Sequence, residues 1–318
     1  MISHELKPRG WSYSLQQMPD SLRQWPLDKQ LTLLFPAGIL LFALLFGDIR
    51  QWLPGENKAA LTGAGIFFLL IVLTRLALAR HTLSPRYEWL LRELWPVPAM
   101  LLGYLLMRLL RLELAIDALG IELMDPQMIA FDTALFGQPL PLLIQHWVSP
   151  AMTLLMESAY LHFYYAVPIG SLLWLFYCRA EHPAAFIHVR QGIIYTLVIG
   201  WLLYLLVPVI GPGQWLESAF SVSLGTQDGL VYDAVNSFRY AYDCFPSLHT
   251  AVPWVTLLVC WRWYSWPLRV LVLLMTLSIT LSTLYLRYHY GADVLGGIAL
   301  AVIVAQLRLP KTTTRFGH

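Results

Sequence analysis

At 318 residues, with 58% hydrophobic and only 13% charged residues and a mean hydropathy of +0.58, the chain lies outside the soluble class, where about a quarter of residues are charged. Its length is therefore divided into membrane spans rather than soluble domains. A net charge of +2 carries no nucleic-acid signal; the three cysteines (Cys178, Cys244, Cys260) show no metal-like spacing, and so few, odd in number, make no disulfide framework and leave at least one thiol free.

Residues 1–29 carry Pro8, Trp11, Trp25 and scattered charges. They read as a cytosolic segment, interfacial around 11–22, rather than a cleavable signal. Apolar runs then predict eight spans, over about 31–47, 59–79, 95–116, 150–177, 191–209, 248–261, 268–284 and 289–306. Arg75 lies near the end of the second span, where it can snorkel, and Arg108 and Arg111 lie within the third. The stretch 117–149 holds four acidic residues and no Lys or Arg, and reads as a loop with short interfacial helices. A second polar loop covers 211–246. Eight spans put both termini on one side. Of the 21 Lys and Arg residues, fourteen fall in segments on that side, four on the other and three within spans. The positive-inside rule then makes both termini cytosolic.

Two stretches stand out against this background. Cys244-Phe245-Pro246-Ser247-Leu248-His249 has the marks of a helix start, with a proline, a serine able to cap, and an apolar run behind them. In the second, Tyr285-Leu286-Arg287-Tyr288-His289-Tyr290-Gly291-Ala292-Asp293, a carboxylate follows a histidine by four residues, one helical turn away on the same face. Both stretches head spans on the extracytoplasmic side, so they can converge. A lone histidine or arginine is more often a solvated interfacial residue. A structural His–Asp pair would also satisfy Asp293, whose insertion unpaired costs about 2.5–3.5 kcal/mol. The combination says more. A helix N-terminus suits an anion, above all phosphate. Arg287 can grip phosphate with two bonds. Two histidines with a carboxylate complete the parts for phosphoryl transfer through a phosphohistidine.

Phe245-Pro246-Ser247-Leu248-His249 and His289-Tyr290-Gly291-Ala292-Asp293-Val294 resemble the second and third motifs of the type 2 phosphatidic acid phosphatase superfamily, closest to its inositol phosphorylceramide synthase-like branch. That branch has leucine where the phosphatases usually have glycine, and Leu248 follows it. Residues 132–139 and Tyr160-Leu161-His162 are similar to the branch's upstream pattern. The resemblance implies an all-α polytopic fold with a six-helix core at 95–308, two accessory helices within 1–94 and a cytosolic tail at 309–318. It also implies a metal-independent, cofactor-free enzyme in which His289 attacks phosphorus, Asp293 orients His289, and His249 protonates the leaving oxygen. The family's first motif is not visible near Pro208, and the arginine usually six residues before the motif histidine is Thr283. Arg287, Ser247 and Arg239 stand in as phosphate ligands. Asp132, Tyr160, His162 and Arg108 are the expected substrate-binding residues. The expected function is a membrane lipid phosphotransferase with lipids as donor and acceptor. A lipid phosphate or polyprenyl diphosphate phosphatase is the close alternative, and a non-catalytic lipid transporter or scaffold of the same fold is a second.

Overall fold

The computed structural model describes residues 26–46, most of 65–107, Ile116, 119–225 and 240–308. Arg108, Arg111 and Arg239, the segment 11–22 and the 309–318 tail lie outside them. The described residues are helical, with no strand among them. The helices are α1 (Leu27–Phe46), α2 (Pro85–Leu94), α3 (Pro96–Met107), α4 (Asp125–Phe136), α5 (Leu140–Ile144), α6 (Pro150–Ser158), α7 (Tyr164–Cys178), α8 (Pro183–Leu206), α9 (Leu248–Cys260), α10 (Trp266–Tyr285) and α11 (Gly291–Arg308). A π-helical turn, Ala159–Phe163, joins α6 to α7. Among the described residues, four continuous helices are long and apolar enough to cross a bilayer: Pro85–Met107, Pro150–Cys178, Pro183–Leu206 and Trp266–Tyr285. Leu248–Cys260 and Gly291–Leu307 are apolar but shorter. The protein is a multi-pass membrane protein.

Two helices begin earlier than the apolar runs suggest. The third predicted span opens at Pro85 rather than 95, and the fifth at Pro183 rather than 191. Residues read as loop on account of their charge are instead buried in partnership. Arg190, fully buried in α8, pairs with Asp28 of α1 at 2.8 Å and with Glu93 of α2. Glu93 also accepts from Lys29 Nζ at 2.7 Å, and Gln191 donates to Asp28 at 3.2 Å. Two acids and two bases thus neutralise one another at one end of the bundle. A hydropathy window cannot see this, because the partners are up to 162 residues apart.

The centre of the bundle is α9. It packs against α7, α8, α10 and α11, and ten of its thirteen residues are buried. An apolar helix buried nearly all round is a core element of the bundle. One tight seam joins it to α11. A Cβ on Gly297 would lie 2.5 Å from the Ser247 carbonyl oxygen, and one on Gly296 would lie 2.8 Å from the Phe245 ring. Only glycine permits the two helix starts to approach this closely.

Candidate active site

The first histidine stretch becomes the start of α9. Ser247 is the N-cap, its Oγ accepting from Thr250 N at 3.3 Å. His249 lies in the first turn, its ring stacked on Tyr160 at 4.0 Å and tilted against Tyr164 at 4.2 Å. Tyr160 lies in the π-helical turn, an irregularity that often marks functional positions.

The second stretch forms a compact turn before α11. Tyr288 and His289 both donate their backbone N–H to Thr283 O, at 3.0 and 3.1 Å. His289 Nδ1 lies 3.6 Å from Asp293 Oδ2. That oxygen also accepts from Tyr290 N at 2.7 Å and from the Cys244 thiol at 2.9 Å. The pair therefore does not bridge one turn of a continuous helix, as the spacing predicts. Helix α11 begins only at Gly291, and Asp293 folds back to receive the turn before it.

Asp132 fixes where α11 begins. Fully buried, it accepts from Gly291 N at 2.9 Å, Ala292 N at 2.7 Å and Leu140 N at 3.1 Å. A carboxylate at a helix N-terminus satisfies orphan amides and complements the dipole. Asp125, seven residues earlier on α4, does a similar job for a loop. It accepts from Ile210 N at 3.1 Å, Gly211 N at 3.0 Å and the Tyr290 hydroxyl at 3.0 Å. One face of a single helix thus ties the 210–211 loop to the 290–292 turn.

The two histidine stretches meet directly. Ser247 N donates to Asp293 O at 3.0 Å. Cys244 Sγ lies 3.5 Å from His289 Nδ1. Tyr160 stacks on His249 and also packs on Tyr288 at 4.7 Å. Tyr104 of α3 donates to Asp243 at 2.7 Å and accepts from Tyr240 N at 3.1 Å, fastening the segment that leads to Cys244.

Arg287 has a left-handed backbone, φ 62°. Its carbonyl accepts from Gly213 N at 2.9 Å. Its guanidinium donates to Val222 O and lies 3.9 Å from the centre of the Phe220 ring. Partial burial lowers its pKa from the ordinary value. His162 is exposed, its Nδ1 3.2 Å from Ser158 O.

The structure therefore gathers His249, His289, Asp293, Ser247 and Tyr160. It leaves His162 at the surface and places Asp132 beneath the α11 start with its oxygens engaged by backbone. Cys244, Asp125, Tyr290 and Tyr164 were missed by the sequence reading. Cys244 carried a signal, since it stands in the first stretch, but its partners are 45 and 49 residues away.

A family model described as PAP2 superfamily matches residues 126–307, from the first turn of α4 to the end of α11. The chain belongs to the PAP2 superfamily. The match covers more than half of the sequence and contains both histidine stretches. Members of the PAP2 superfamily are generally phosphatases and phosphotransferases, and the match gives this chain a lipid phosphatase/phosphotransferase-type fold. No curated protein and no solved structure matches it.

Proposed function

We propose that this PAP2 protein is a lipid phosphotransferase of the inositol phosphorylceramide synthase-like kind, working through a phosphohistidine on His289. The observation that carries the reading is the contact between the two stretches: Ser247 on Asp293, Cys244 on both His289 and Asp293, and Tyr160 between His249 and Tyr288. With Nδ1 turned to Asp293, His289 presents Nε2 to phosphorus. A P–N bond forms as the P–O bond to the leaving group breaks, and His249 supplies the proton to that oxygen. In the second half the acceptor hydroxyl loses its proton to His249, attacks phosphorus and breaks the P–N bond. Asp293 is a positioning residue that holds the ring and balances its developing positive charge.

Arg287 is the phosphate ligand, swinging its guanidinium from the Val222 carbonyl. The buried Ser247 hydroxyl, engaged with Thr250, serves the phosphate indirectly by holding the α9 N-terminus in place. Asp132 acts as the fastening of the α11 start. Arg108 and Arg239 stay as candidate ligands from sequence. No metal enters the reaction, so turnover persists in excess chelator.

The charge pattern supports a site on the extracytoplasmic face with both termini inside. Along α8, the buried ion cluster at Arg190 lies toward the N-terminal end, and the loop that Asp125 ties to the site follows the C-terminal end. From Arg190 to Leu206, just before the loop held by Asp125, is about 24 Å at 1.5 Å per residue, most of the roughly 30 Å hydrocarbon core.

Incubation of the purified protein with phospholipids, with and without alcohol acceptors, tests the assignment. Acceptor-dependent appearance of a new phospholipid is the expected result. Release of inorganic phosphate regardless of acceptor would make it a phosphatase. Unchanged cellular activity in His249→Ala and His289→Ala would make it a transporter or scaffold.

A further inference from the structure

We propose that Cys244, His289 and Asp293 form an inhibitory site for a thiophilic divalent cation, with Zn2+ the best fit. The three side chains are buried, and their ligand atoms lie within 4.8 Å of one another. Bond lengths of about 2.3 Å to sulfur and 2.0–2.1 Å to nitrogen or oxygen put tetrahedral ligands about 3.3–3.6 Å apart. The Sγ–Nδ1 separation is 3.5 Å and the Nδ1–Oδ2 separation 3.6 Å. Only Sγ–Oδ2, at 2.9 Å, must lengthen, and that contact is the thiol hydrogen bond that coordination would replace.

A second observation points the same way. Asp293 Oδ1 is buried and has no hydrogen-bond partner among the described residues, so the carboxylate has acceptor capacity that a cation could satisfy. Charge decides which metal. Binding releases the thiol proton, and a thiolate with a carboxylate neutralises one dication, leaving a buried site without net charge. Sulfur and imidazole ligands select against Mg2+ and Ca2+, which take oxygen.

The inhibitory sense rests on the catalytic reading above. Coordination at Nδ1 draws electron density from the ring that must attack and takes Asp293 away from it.

The test uses the full chain in detergent, as wild type and with Cys178→Ser and Cys260→Ala so that Cys244 is the only thiol. Zinc X-ray absorption should show one metal per chain with one sulfur at about 2.3 Å. In the single-thiol protein, Cys244→Ser should remove that sulfur. It should also raise the Zn2+ needed for half-inhibition about tenfold or more, since even outer-shell partners are worth that much. A wild-type metal shell of nitrogen and oxygen alone, or no retained metal, would overturn the site whatever the variants do. The two readings fail separately. A sulfur-bound metal in a protein that turns over no lipid removes the catalytic reading and keeps the site. His289-dependent turnover with no sulfur in the shell does the reverse.

Discussion

At the scale of single residues, the side chains nearest the chemistry are held by carboxylates spent on backbone. Asp132 receives three N–H groups with two charged oxygens. Asp132→Asn keeps the shape but leaves one acceptor oxygen, and each stranded donor costs about 1–3 kcal/mol. A lower thermal midpoint in detergent, with turnover lost in parallel, is the expected outcome; an unchanged midpoint would show that the cap is dispensable. Arg287 separates backbone from charge. Its left-handed φ of 62° costs an ordinary residue about 1–2 kcal/mol. Arg287→Gly therefore relieves the backbone while deleting the guanidinium, so stability should hold while KM for anionic lipid rises. Equal kinetics in that variant would remove Arg287 from the phosphate site. The histidines and Asp293 were legible because four-residue spacing and a helix-start signature are local. Cys244 and Asp125 were not, since Asp125 meets its Tyr290 partner 165 residues along the chain.

At the scale of elements, the seam between α9 and α11 sets the site. Sequence periodicity located both helices to within two residues at their starts, because each is an apolar run behind a turn. It could not locate the seam, since a Gly296-Gly297 pair in an apolar run reads only as a tolerated weakness. A Cβ on Gly297 would meet a backbone carbonyl rather than a flexible side chain. Gly297→Ala should therefore part the two helix starts and abolish turnover. Gly170→Ala in α7, where nothing lies within 4 Å of the added carbon, should leave turnover intact. Radiolabelled-lipid assays of the two variants side by side make the comparison. The early starts of α2 and α8 escaped the hydropathy reading for the opposite reason, because their charges are buried through partners elsewhere in the chain.

At the scale of the whole molecule, α8 separates two polar ends. The Asp28–Lys29–Glu93–Arg190 cluster clamps α1 and α2 onto the bundle. Arg190→Ala leaves two buried acids facing a single lysine. Breaking a buried ion pair costs about 3–5 kcal/mol, so the variant should lose α1 packing and fall in thermal stability. A C-terminal tag should be protected in intact cells and accessible only after permeabilisation; labelling from outside would reverse the orientation. The fold class was legible because composition and apolar runs report the bilayer directly. The joining of the two ends was not, because it depends on side-chain pairs that no local window contains. The central claim is that His289 carries the phosphoryl group. Rapid quenching with a phosphorus-labelled lipid donor, followed by peptide mass spectrometry, tests it most directly. Acid-labile phosphate on His289, absent in His289→Asn, is the predicted result; full transfer in His289→Asn with no label on that residue would contradict it.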